Sequence, residues 1–213
     1  MINLMRKDYL IVKKIWLGMM VIAAVLPPFL SFFGDGVVIP AALTLSMMSI
    51  LLSMILFAAI YEEEEKYPKA AALITTIGYS RTIQVVERYI LMLAAFLYCT
   101  IVYAIESHVI EGLGALGLFD FLTAMFCYVL VESLYLGLTT RFGLRAGRYI
   151  LMAVIFGTSL GPSMIAKLNI TLNFSGLRTM NEYLIIFLLV AMTVVAYLIS
   201  LMAALKAYEH KEL

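Results

Sequence analysis

Charge is what this sequence has least of. Only 14% of its 213 residues are Asp, Glu, Lys or Arg, whereas soluble domains carry about 25%. An apolar share of 64% and a mean hydropathy of +1.01 exclude an ordinary soluble globular protein. We therefore predict an integral membrane protein, with residues 1–213 forming one transmembrane domain in the lipid bilayer and no nucleic-acid partner.

Residues that catalyse reactions or bind metals are also scarce. The two histidines, His108 and His210, fall in a loop and in the C-terminal tail, so they cannot join one catalytic set. His108 shares its Gly-rich loop with Glu106 and Glu111, but without the rigid spacing that a metal site needs, and we expect no metal. No Gly-x-x-x-x-Gly-Lys-Ser/Thr motif occurs, so we expect neither a cofactor in this chain nor ATP hydrolysis by it.

Six apolar runs are long enough to cross a hydrocarbon core of ~30 Å at about 1.5 Å per helical residue. They lie at about 15–33, 41–60, 89–105, 119–138, 149–165 and 183–205. Backbone groups in lipid must be satisfied within their own segment, and these runs lack the alternation of barrel strands. The sequence therefore predicts an all-α fold with six transmembrane helices.

The basic residues predict the orientation. All but Lys167 and Arg178 of the fifteen Lys and Arg lie in the N-terminal segment, the loops 61–88 and 139–148, and the C-terminal tail. Because basic residues collect on the cytoplasmic side, we predict that both termini are cytoplasmic. Residues 2–14 sort into a basic and an apolar arc and predict a helix lying in the membrane interface, although Asp8 falls on the apolar side.

Glu132 is the one carboxylate placed well inside an apolar run. Charge at such depth is costly, so it commonly faces the bundle interior or a water-filled cavity. Two roles are open from the sequence. Glu132 either lines a transport path or is a structural partner of an Arg or of a neighbouring backbone.

Two glycines one helical turn apart, Gly157 and Gly161, form a small-xxx-small step in the fifth run. Such a step allows another helix to approach closely. We predict helix packing there, either within the chain or with a second copy.

The loop 61–88 is too long for a simple turn. Its acidic run 62–65 predicts a solvated extension of the second span, and Pro68 then breaks that helix. Ser80 is placed to cap a new helix that starts at Arg81 and continues into the third span. Between them, residues 68–76 predict a short helix whose apolar side chains need a partner or the membrane interface to cover them.

Four stretches together resemble a known family. They are LMRKDY at 4–9, EEEEK at 62–66, IGYSR at 77–81 and ERY at 87–89. This layout is similar to the membrane subunits of ABC-2 type transporters, especially the small permeases of bacterial exporters of amphipathic peptide toxins (the phenol-soluble modulin exporter type) and of peptide antibiotics. Ile77 and Gly78 stand where that family has Leu-Pro.

The resemblance implies that residues 68–76 are a coupling helix that docks on a separate ATP-binding subunit, which itself binds ATP and Mg. It also implies a second permease copy, in a homodimer or heterodimer. The implied coupling residues are Pro68, Lys69, Leu73, Ile74, Ser80, Arg81 and Glu87.

The function that the resemblance implies is ATP-driven export of amphipathic peptides or other hydrophobic or toxic solutes across a bacterial cell membrane. Three alternatives remain open from the sequence: a secondary transporter or channel, the membrane component of a vitamin importer, and an intramembrane enzyme. Copurification with an ATP-binding protein distinguishes ATP-driven export from these three alternatives.

Overall fold

The computed structural model describes residues 2–33, 40–67, 81–110, 113–167 and 182–209. These residues form seven helices, and no strand occurs among them. The helices are α1 (Ile2–Ile11), α2 (Lys13–Phe33), α3 (Ala41–Lys66), α4 (Arg81–Val109), α5 (Leu118–Phe142), α6 (Leu144–Lys167) and α7 (Glu182–Glu209). The predicted all-α fold is confirmed.

Each predicted span lies within one of the helices α2 to α7. Among the described residues, α3, α4, α5 and α7 are long and apolar enough to cross a membrane. The count of six spans and the cytoplasmic termini stay predictions. Several helices extend well beyond the apolar runs; the run 89–105, for example, is only the middle of α4.

α3 is the central helix of the bundle. In its most apolar stretch 67% of the residues are buried, compared with 6% in the corresponding stretch of α7. Its serines pack closely because they bond to their own helix, as in the 2.7 Å bond from Ser49 Oγ to the Leu45 carbonyl. Small side chains of this kind let neighbouring helices approach within a membrane.

Aromatic side chains fix α4 against α5. The Phe96 ring stacks on Tyr128 with their centroids 5.0 Å apart, and the Tyr128 hydroxyl donates a 2.8 Å hydrogen bond to the Met92 carbonyl. Both rings are almost completely buried. The pairing sets the relative depth of the two helices, because the ring stacking and the hydroxyl hydrogen bond must form at the same time.

The turn from α5 to α6 consists of one residue, Gly143, with φ 82° and ψ −177°. Only glycine adopts this backbone region readily. Four residues later, a Cβ at Gly147 would lie 2.8 Å from Thr139 Oγ1 and 3.1 Å from the Tyr135 ring, so the first turn of α6 contacts α5 directly. The tight turn brings the start of α6 back to the end of α3.

The N-terminal segment forms a helix as predicted, with a boundary at Val12 between α1 and α2. Tyr9 and Trp16 make an edge-to-face ring contact across this boundary, at 6.1 Å between centroids. Asp8 is only 2% exposed. Asp8 breaks the division of this segment into a basic and an apolar arc because it is buried against the bundle. The position of α1 in the membrane interface stays a prediction.

Candidate functional site

Three helix ends meet in a group of charged side chains that we call the charged cluster: Lys7 and Asp8 of α1, Glu64 of α3, and Glu87 and Arg88 of α4. Asp8, Glu87 and Arg88 are at most 4% exposed. Burying charged groups is costly unless they are paired. The pairings therefore determine how these three helices are held together.

Glu64 and Arg88 form the central ion pair of the charged cluster. The Arg88 guanidinium also lies 4.1 Å from the centroid of the Tyr61 ring, one turn before Glu64 on α3. A guanidinium that contacts a carboxylate and an aromatic face is held in both position and orientation. This pair fastens the last turns of α3 to the first turns of α4.

Lys7 fastens α1 to the same point. Its Nζ lies 2.7 Å from Asp8 Oδ1 and 3.7 Å from Glu64 Oε1. The Lys7 side chain keeps 28% of its exposure, so it closes the cluster on its open side. α1, α3 and α4 thus share one electrostatic junction.

Glu87 occupies the inner side of the charged cluster, where its carboxyl group interacts with that of Asp8 and with the cations of Arg88 and Lys7. Its Oε1 atom is buried and has no hydrogen-bond partner among the described residues. The resemblance assigned Glu87 a bracing role next to the coupling helix. Its location beside the junction is compatible with that role, which stays a prediction.

The acidic run 62–65 was predicted to be a solvated helix end, and this is wrong for Glu64, which is only partly exposed, whereas Glu65 is exposed and also has a partner. Glu64 pairs with Arg88, and Glu65 Oε1 accepts a 3.2 Å hydrogen bond from the backbone N–H of Leu144, at the start of α6. That N–H has no partner within its own helix. Glu62, half exposed and 3.9 Å from Arg148, fits the predicted solvated face.

Most of the predicted coupling residues lie outside the described residues, namely Pro68, Lys69, Leu73, Ile74 and Ser80. Arg81 starts α4, as predicted, although its side chain is also outside the description. The segment 68–80 runs between Tyr67, just after α3, and Arg81. Both of its ends are therefore attached to helices that the Glu64–Arg88 pair joins.

Glu132 lies in the interior of the bundle and is 0% exposed. Its Oε1 accepts a hydrogen bond from Ser53 Oγ of α3, and its Oε2 has no hydrogen-bond partner among the described residues. The partner is thus a serine hydroxyl rather than the Arg or backbone group that the sequence suggested. A role in a transport path stays a prediction.

Gly157 lies on an exposed side of α6, where an added Cβ would meet no atom within 4 Å. No described residue packs closely on this glycine, and helix packing there, against another part of the chain or a second copy, stays a prediction. Gly161 is part of α6, but its surroundings lie outside the described residues.

That Lys7, Glu64 and Arg88 form this junction was not predicted from the sequence. A usable signal was present, because an acidic residue at the end of one span and a basic residue at the start of the next reach the same depth in a helical hairpin. Charges at equal depth near a membrane tend to pair. The distance of Lys7 along the chain offered no comparable clue.

The helices and the buried ionic junction at their ends define the class: a multi-pass, all-α membrane protein. Residues 3–209 match the family model described as ABC-2 family transporter protein. The chain belongs to this family, and it is therefore a membrane component of the ABC transporter permease type, a type that works with an ABC ATP-binding subunit and is generally not itself catalytic. No curated protein and no solved structure matches the chain.

Proposed function

We propose that this chain is the membrane subunit of an ATP-driven exporter, which moves amphipathic peptides or other hydrophobic, toxic solutes out of a bacterial cell. The observation that carries the proposal is the family match over nearly the whole chain. ATP and Mg would be bound by the partner ATPase subunit. The peptide substrate class rests on the sequence resemblance.

The charged cluster supports a coupling role for the segment 68–80. A partner that displaces this segment pulls on the end of α3 and the start of α4 at once. The Glu64–Arg88 pair makes these two ends move together. The contact of Lys7 with Glu64 links α1 to the same movement, and the hydrogen bond from the Leu144 N–H to Glu65 links α6 to it. A local movement would thereby shift the population between two arrangements of the bundle.

The test is reconstitution of the chain with its ATPase subunit in liposomes. We expect ATP-dependent transport of a labelled amphipathic helical peptide, and none with an ATPase subunit that cannot hydrolyse ATP. Replacing residues 68–76 by nine Gly and Ser residues should abolish stimulated ATPase activity while the chain still inserts. Transport without the ATPase, or full stimulation after the replacement, would contradict the proposal.

A second permease copy completes the proposed transporter, as a homodimer or a heterodimer. The exposed face of α6 at Gly157 offers a surface where a partner helix can approach closely. We expect Gly157→Leu to weaken the dimer in native mass spectrometry, and Gly18→Leu, at an equally open position on α2, to leave it intact. Equal dimer fractions in the two variants would exclude this face.

A further inference from the structure

A groove of about 420 Å³ lies between α5 and α7, away from the charged cluster. Its walls are mostly aliphatic: Leu130, Leu134, Leu138, Ala196, Ile199 and Ala203. Gly137 leaves the groove open at its centre, since an added Cβ there would meet nothing within 4 Å. Among the described residues, none fills this largely apolar groove between the two helices, and Ser133 and Ser200 are the uncharged polar residues of its lining.

Both walls belong to helices that are long and apolar enough to cross a membrane. Hydrocarbon is the medium that surrounds such helices. From Leu130 to Arg141, α5 rises by ~16 Å at about 1.5 Å per residue. This length corresponds to about half of the ~30 Å hydrocarbon core, or one leaflet.

A single cation marks one end of the groove. Arg141 lines it and lies in the last turn of α5, at one end of a helix that is long enough to cross the hydrocarbon core. It is exposed and makes no ion pair with any carboxylate of the described residues. Its guanidinium lies 5.3 Å from the Phe142 ring centroid, which restricts where it points.

The chemistry of the lining selects the occupant. In the described part of the chain no Asp or Glu lines the groove, so no carboxylate there offsets the charge of Arg141 or repels an anion. A guanidinium matches the geometry of a phosphate group, to which it can donate two parallel hydrogen bonds. We propose that the groove is a binding site for an anionic phospholipid, with one acyl chain along α5 and α7 and the headgroup phosphate on Arg141.

The test is native mass spectrometry of the purified chain, titrated with phosphatidylglycerol or with phosphatidylcholine of the same acyl chains. The wild type should retain phosphatidylglycerol in preference to phosphatidylcholine. Arg141→Gln should lower retention of the anionic lipid about fivefold and remove the preference, as expected for one basic residue at an anionic headgroup. Gly137→Leu should abolish retention of both lipids.

Two matched controls isolate the site. Gly18→Leu adds the same side chain at an open position of α2, and Arg145→Gln removes an exposed arginine that does not line the groove. Both should bind lipid as the wild type does. Ala203→Leu fills the groove from the α7 wall and replaces Gly137→Leu if that variant does not fold.

Three results would overturn the proposal. Equal retention of the two lipids by the wild type would remove the anionic headgroup from the site. Unchanged retention after the groove is filled would place the lipid elsewhere. Loss of a dimer when the groove is filled, with lipid binding unchanged, would show that a second copy occupies this face.

Discussion

The carboxylate of Glu64 holds the guanidinium of Arg88 at the place where α3 ends and α4 begins, and the same guanidinium lies over the Tyr61 ring. The Arg88 side chain is 5% exposed, while Glu64 keeps 28%. One partner is therefore nearly desolvated and the other is not. The pair should contribute more to stability than a surface ion pair and less than a fully buried one.

We expect Arg88→Gln to lower the free energy of unfolding by about 2–3 kcal/mol, below the ~3–5 kcal/mol for breaking a fully buried pair. Thiol labelling on heating measures this, because Cys99 is buried. The exposed Cys127 is first changed to Ser, so that labelling reports only on Cys99. Arg148→Gln, at an exposed pair with Glu62, is the control and should shift stability by less than ~1 kcal/mol. Equal effects of the two changes would show that Arg88 does not fasten the helices.

Two carboxylates of the charged cluster should respond in opposite directions. Glu64 has cationic partners, so Glu64→Gln removes attraction and should lower the melting temperature. Glu87 interacts with the Asp8 carboxyl group and has an unsatisfied Oε1. Glu87→Gln places a neutral side chain with an added donor at this buried position, so it should leave the melting temperature unchanged or raise it. A loss with Glu87→Gln as large as that with Glu64→Gln would contradict this reading.

Gly147 should tolerate no side chain. An added Cβ would lie 2.8 Å from the buried Thr139 hydroxyl, so Gly147→Ala must displace α6 from α5, at a cost of about 1–3 kcal/mol. Gly137→Ala is the matched change at an open helical position and should be neutral or stabilising by up to ~1 kcal/mol. The difference in melting temperature between the two variants is the measurement, and its absence would mean that α5 and α6 are not in close contact here.

Glu132 is bound by Ser53 inside the bundle, and this favours the role of a structural partner. A glutamine oxygen can accept the same hydrogen bond, so we expect Glu132→Gln to retain both folding and transport. Ser53→Ala leaves the buried carboxyl group without its partner and should destabilise by about 1–3 kcal/mol. A folded Glu132→Gln variant that no longer transports would instead support the transport-path role.

The apolar helices were predictable because the hydrocarbon core imposes a length and a composition on each span. The helix ends at Lys66 and Arg81 were predictable as well, because the acidic run before Pro68 marks the first and Ser80 marks the second. The partners of the charged side chains at these ends were not, since Glu64 and Arg88 meet across two helices and no local pattern shows this pairing.

The acidic run shows the same limit within the site. Four consecutive glutamates are equivalent by composition, yet one binds Arg88, another caps α6 and a third is half exposed. The helical step of about 100° points each carboxylate in a different direction. Their roles depend on which helix end lies there, and the turn at Gly143 determines this for α6.

The contrast between α3 and α7 has a consequence for mutational tolerance. Two thirds of the residues in the most apolar stretch of α3 are buried among other helices, whereas in the corresponding stretch of α7 only 6% are buried. Shape should constrain the residues of α3, because each neighbour must fit. On the outward face of α7 hydrophobicity alone should suffice, so that Leu, Ile, Val, Met and Phe become interchangeable there. A saturation library would then show two helices of similar composition governed by different rules of substitution.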